Sequence, residues 1–189
     1  MTQSQYLSLV EGCKKGSRIC QEQLYKELSS KMLGVCVRYA RDNFEAEDIL
    51  QNGFIKVFSK INYFNGIGSF EGWVRKIMVN TAIEHYRKNK FISCSIDITE
   101  NINAHESAVY QDGLEAKDIM RLIVALPASY RLVFNMFAIE GYSHQEIAES
   151  LGISEVLSRT QLNRARGILK EKISSLENRS RKHLTLVPA

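Results

Sequence analysis

Residues 143 to 170 read "SHQEIAESLGISEVLSRTQLNRARGILK", and no other stretch of the chain narrows its fold so far. Ser143 and Glu146 make the S-x-x-E box that starts a helix. Gly152 then offers the left-handed backbone that a tight turn needs, and Ser154 is a second good N-cap. Ile147, Leu151 and Ile153 can anchor both segments to a third helix, with the small Ala148 where the two approach. The pattern predicts a short helix, a turn, and a longer helix from near Ser154 through Arg166 or beyond, which is a helix-turn-helix. In that geometry the second helix enters the major groove, and its first turns offer Arg159, Thr160, Gln161 and Asn163, with Arg164 and Arg166 further on. Arginine reads guanine bidentately, Asn or Gln reads adenine, and the remaining donors grip phosphate. A solvated face on a helical hairpin would also be rich in charge. DNA reading is the stronger expectation because the capping box, the small residue, the turn glycine and the arginines occur together.

The remainder is expected to be helical as well. Only two prolines occur, Pro127 and Pro188, and strand-like alternation is scarce. A chain of 189 residues, 44% hydrophobic and 24% charged, suits one or two small domains. The net charge of +4 says little by itself, but its distribution is uneven. Residues 1–90 carry 14 Lys/Arg against 9 Asp/Glu, residues 91–114 carry none against 4, and residues 115–189 carry 11 against 8. The middle segment, "FISCSIDITENINAHESAVYQDG", lacks a helical stripe and reads as an acidic linker. A strand at "ISCSIDI" would have no partner. The expected architecture is all-α: one helical domain over 1–90, a flexible linker over 91–114, a second helical domain over 115–178, and a basic tail over 179–189.

In the first domain, "FEAEDILQNGFIKVFSKI" sets Leu50, Phe54, Val57, Phe58 and Ile61 on one helical face. Asn52 and Gly53 would suit a hairpin turn, but helical phase holds across them, so a helix is expected with a glycine penalty of about 1 kcal/mol. The loop "NYFNGIGS" follows, then a second long helix, "FEGWVRKIMVNTAIEHYRKNK", with Phe70, Trp73, Val74, Ile77 and Thr81 inside. By its phase Trp73 belongs to the core rather than to a stacking surface. Upstream, "EQLYKELSSKMLGVCVRYARD" supplies Leu24, Leu28, Leu33, Val37 and Tyr39 to an earlier helix. In the second domain, two helices separated near Pro127 and ended by Gly141 precede the helix-turn-helix.

Several function classes are disfavoured. Cys13, Cys20, Cys36 and Cys94 have neither CxxC pairing nor histidines at finger spacing, so reduced thiols are expected rather than a metal site. His85, His105, His144 and His183 stand apart, and no glycine loop could cradle a phosphate, so neither an enzyme nor a cofactor is expected. Neither a leader segment nor a bilayer-spanning apolar run is evident, which points to a cytoplasmic protein with no membrane insertion.

The first domain narrows the kind of DNA-binding protein. "AEDILQNGFIKVF", an aromatic-and-glycine loop and "FEGWVRKIMVNTAIEHYRK" closely resemble regions 2.2 to 2.4 of the extracytoplasmic-function sigma factors of bacterial RNA polymerase. "LPASYRLVFNMFAIEGYSHQEIAESLGIS" followed by "RAR" is similar to their region 4. The resemblance covers roughly residues 20–90 and 115–175, in family order.

It implies that the helix over residues 44–60 docks on the coiled coil of the polymerase's largest subunit, through Glu47, Asp48, Gln51, Asn52 and Lys56. It implies that the loop over 62–70 and the helix after it open the minus-10 element and capture a flipped base. That work needs stacking surfaces beside cations, which Tyr63, Phe64, Asn65, Arg75, Lys76, Asn80, Arg87 and Lys88 could supply. The minus-35 element would fall to Arg159, Thr160, Gln161, Asn163, Arg164 and Arg166. The implied partners are core RNA polymerase, duplex and melted promoter DNA, and an anti-sigma factor. Where many relatives carry Gly-Thr, this chain has Val156 and Leu157. The competing expectation, a regulator driven by a sensor domain, would call for a ligand pocket or dimerisation heptads before residue 115, and neither is plain in the sequence.

Overall fold

In a computed structural model, residues 2–93 and 116–184 are described, with side chains over 2–89 and 118–176. The expected linker therefore lies outside the described residues from 94 onward, as does the tail from 185. The chain divides into two compact units, Met1–Ser95 and Ile96–Ala189. Among the described residues the regular structure is helical throughout, in agreement with the all-α expectation.

The first unit holds α1 (Gln3–Lys14), α2 (Arg18–Val37), α3 (Asn43–Lys60), a 3-10 turn (Ile61–Tyr63) and α4 (Phe70–Ser93). Helix α1 was not foreseen. It begins at a Thr2/Gln5 capping box and buries Tyr6, Val10 and Cys13, one face at spacings of four and three. Asp42 caps α3 by accepting from the Glu45 amide. The core closes around Leu24, Leu28 and Met32 of α2, Ile49 and Val57 of α3, and Phe70, Val74 and Met78 of α4, all at 2% exposure or less.

Two of the expected stripes slip by a residue. In α2 the buried positions are Met32, Val35 and Cys36, while Leu33 and Val37 sit half-buried beside them. In α4 the core takes Met78, Val79, Ala82 and Ile83, and leaves Ile77 on the flank. Trp73 packs with its ring stacked 5.7 Å from that of Phe70, as its phase indicates.

Helix α3 runs unbroken through Asn52 and Gly53, and the reason is tertiary. A Cβ on Gly53 would press on the Sδ of Met78, so the missing side chain leaves room for that methionine of α4 against α3. Burial holds the thiols protonated, pushing Cys36 up to about 12 and Cys13 up to about 11.

The second unit holds α5 (Ala116–Val124), α6 (Ala128–Phe134) running into a π-helical turn (Asn135–Ile139), α7 (His144–Leu151) and α8 (Glu155–Leu184). Leu122, Ile123 and Leu126 pack on Ala165 and Leu169 of α8. Helix α8 extends through 184, so the first part of the expected basic tail is helical backbone.

Candidate nucleic-acid and polymerase surfaces

The helix-turn-helix forms as its local signals require. Ser143 accepts from the Glu146 amide while the Glu146 carboxylate accepts from the Ser143 amide at 2.8 Å, closing the capping box of α7. Gly152 adopts φ 64° and ψ 41°, the left-handed conformation that ends α7 and turns the chain. Ser154 accepts from the Leu157 amide at 3.1 Å and starts α8. A second tie is tertiary: His144 Nδ1 lies 2.8 Å from the Oγ of Ser158, which is fully buried on α8. Burial first, and the charge of Arg159 second, hold the His144 imidazole below its usual value.

Helix α8 has two opposed stripes. Ser158, Leu162, Ala165 and Leu169 are buried, and Val156, Thr160, Asn163 and Gly167 form the exposed line at the same spacing. The three arginines sit to either side of that line. Arg159 pairs with Glu155 at 3.1 Å, Arg166 lies 5.6 Å from the centroid of the Phe137 ring, and Arg164 donates to the Tyr130 hydroxyl at 3.1 Å. Gln161 is half-buried. Thr160 is exposed, and its hydroxyl donates at 2.8 Å to the Val156 carbonyl of its own helix, which leaves its oxygen to act as an acceptor.

In the first unit, the loop after α3 separates its two aromatics. Tyr63 is 81% exposed, whereas Phe64 is 3% exposed. The Phe64 ring makes an edge contact with Phe70 at 5.1 Å and lies 5.5 Å from Trp73, so it is enclosed in the core. Phe64 is thereby corrected from a base-stacking candidate to the anchor that holds the loop. Asn65 accepts from the Ile67 amide at 3.1 Å, and Gln3 of α1 donates to the Gly68 carbonyl at 2.9 Å, so the loop is braced from both sides. Ile67, which sequence reasoning passed over, is also exposed in this loop.

On α4, Lys76, Asn80 and Arg87 are exposed at spacings of four and seven and share one face. Arg75 falls a residue out of that row and is half-buried, so it does not join it, and Lys88 is exposed one position further round. Glu45 anchors this end of α4 to the start of α3. Its Oε1 lies 3.1 Å from His85 Nδ1 and accepts from Asn89 at 3.1 Å.

On α3, Asp48, Gln51 and Asn52 are exposed opposite the buried stripe, with Glu47 at the edge. Lys56 turns towards α4 and pairs with Glu84 at 2.6 Å at the surface. Two residues of this outer face were missed, Phe44 at 83% and Ile55 at 66% exposure. Their signal was available, since both are large apolar residues out of phase with the buried stripe.

Residues 24–92 match the family model for sigma-70 region 2, and residues 116–169 match that for sigma-70 region 4. The chain is 28% identical over 189 residues to the RNA polymerase sigma-H factor of Pseudomonas aeruginosa, covering 93% of this chain and 97% of that one. It is 27% identical over 180 residues to the extracytoplasmic-function factor SigW of Bacillus subtilis, covering 88% and 96%. In fold it is similar to the sigma factor RpoE of Bartonella quintana, solved with the anti-sigma factor NepR, at a TM-score of 0.51 and 18% identity over 81% of this chain and 96% of that one. The chain belongs to the sigma-70 family, in its extracytoplasmic-function group. No helix among the described residues is long and apolar enough to cross a membrane.

Proposed function

We infer that this chain is a promoter-specificity subunit of RNA polymerase that divides its work between its two units. The observation that carries this reading is the pairing of region 2 and region 4, in order, with an exposed face on α8, an exposed aromatic in the loop before α4 and a cationic row on α4. The outer face of α3, Phe44, Asp48, Gln51, Asn52 and Ile55 with Glu47 at its edge, docks on the polymerase. Tyr63 stacks on an unpaired base of the minus-10 element, while Lys76, Asn80 and Arg87 follow its backbone. On α8, Asn163 and the flanking Arg159, Arg164 and Arg166 meet the minus-35 duplex, the arginines chiefly at phosphates.

The protein acts in the cytoplasm, catalyses no reaction itself and needs no cofactor. Alone it binds promoters weakly, because each unit makes few contacts until polymerase sets their separation. An anti-sigma factor would restrain it by covering the docking face, as the extracytoplasmic-function resemblance implies.

The test is direct. The purified chain is mixed with sigma-free core polymerase and a randomised promoter library, and initiated transcripts are sequenced. A shared two-part promoter among the transcripts is expected. Failure to bind core enzyme or to direct initiation, with tight binding of an operator by the chain alone, would replace this reading with that of a conventional repressor or activator.

A further inference from the structure

The centre of the exposed α8 face is more apolar than a phosphate-gripping helix requires. Val156 is 73% exposed in the first turn, where it contributes nothing to the core, and a β-branched residue adds nothing to helix propensity. One turn on, the Thr160 hydroxyl donates to the Val156 carbonyl at 2.8 Å, so its proton is engaged and this exposed residue offers its γ-methyl beside an acceptor oxygen. The two lie on one face, separated by a rise of about 6 Å along the helix. The charged groups stand aside, with Arg159 paired to Glu155 and Arg164 bonded to Tyr130.

In the major groove, the apolar feature that distinguishes one base pair from another is the 5-methyl of thymine. We propose that Val156, with the Thr160 methyl one turn below it, is a specificity element that reads thymine 5-methyl groups in the upstream promoter element. The proposal rests on the reading of α8 as the duplex-reading helix. It adds that the discrimination at this position is by burial of a methyl group rather than by hydrogen bonding. Cytosine and uracil carry no such group, so the site rejects them without touching their polar edges. Leu157, 42% exposed at the edge of the same turn, shields the contact from water on one side.

Deoxyuridine supplies the probe, because it pairs as thymine does and lacks only the methyl. The upstream element is first obtained by selection with holoenzyme reconstituted from the full chain. Each of its thymines, on both strands, is then replaced singly by deoxyuridine, and holoenzyme binding is measured by competition. At one or two neighbouring positions the wild type should lose about four-fold, the worth of one buried methyl. Val156→Ala should bind the thymine duplex correspondingly less well and be indifferent to deoxyuridine there. Thr160→Ser, which keeps the hydroxyl and removes only the methyl, should lose sensitivity at the adjacent position. Both side chains are exposed, so melting temperatures should stay at the wild-type value. Wild-type indifference at every thymine, a selected element with no A·T pair in this region, or undiminished deoxyuridine sensitivity in Val156→Ala would each overturn the proposal. If the holoenzyme initiates from no library member, the sigma reading fails first and the proposal falls with it, an outcome visible before any deoxyuridine is introduced.

Discussion

The two units solve different recognition problems and expose different chemistry. The first presents large apolar and aromatic groups, Phe44, Ile55, Tyr63 and Ile67, on a bundle braced by long-range ion pairs such as Lys31–Glu71 at 2.9 Å and Lys56–Glu84 at 2.6 Å. The second presents a single helix face, whose ties are partly local, Glu155 to Arg159 and Thr160 to its own backbone, and partly tertiary, Arg164 to Tyr130 and Arg166 over Phe137. Docking on a protein and holding an unstacked base both need apolar contact on a rigid support. Reading an intact duplex needs a straight helix with donors, and the groove supplies the rest. Val156, with Leu157 after it, carries the apolar strategy into the duplex-reading unit.

The largest expected effect separates support from contact. Phe70 is fully buried under the loop, so Phe70→Ala should destabilise the first unit by about 3–5 kcal/mol, followed by denaturant titration. Among the loop residues, the adjacent aromatics should part company. Tyr63→Ala should leave stability unchanged and cost about 1–3 kcal/mol in promoter opening, scored by permanganate reactivity of the melted thymines. Phe64→Ala should lower the melting temperature instead, and equal behaviour of the two would erase the distinction drawn from their burial. On the docking face, Ile55→Ala should weaken core-polymerase affinity by roughly ten-fold, about 1.4 kcal/mol, with no change in stability. In the second unit, Arg164→Ala should reduce minus-35 affinity and lower the salt slope by about one, as loss of a single phosphate contact requires.

The smallest effect is a pH dependence confined to the helix-turn-helix. Because the His144 imidazole is held below its usual 6.5, the folded unit takes up this proton less readily than the unfolded chain does. Its stabilising contribution is therefore complete above that value and is lost as pH falls below it. His144→Asn should flatten the pH profile of thermal stability between neutral and acid pH, and an unchanged profile would remove His144 as its source.

The helix-turn-helix could be read from sequence because each of its signals is local: a capping box, a turn glycine and a second N-cap within a dozen residues. What escaped was set by tertiary contact. Met32, Leu33, Val35, Cys36 and Val37 are almost continuously apolar, so two helical phases fit α2, and only the packing of α3 and α4 selects the one that buries Met32 and Cys36. The penalty at Gly53 had no visible return until Met78 was found against it. Tyr63 and Phe64 are neighbours in a loop with no period to sort them, and burial by Phe70 and Trp73 does the sorting. Lys56 reads as one more surface cation until Glu84, 28 residues on, claims it. Helix α1, with a capping box and a three-residue stripe, was legible and was missed because its apolar face is short.

The division of labour is tested most directly by measuring binding and opening separately on one promoter, with holoenzymes carrying Arg164→Ala or Tyr63→Ala. Upstream protection from nuclease reports the first step and permanganate reactivity at the minus-10 element the second. Arg164→Ala should lose upstream protection while the complexes that still form open normally, and Tyr63→Ala should keep full upstream protection and fail to open. Proportional loss of both signals in both variants would contradict that division.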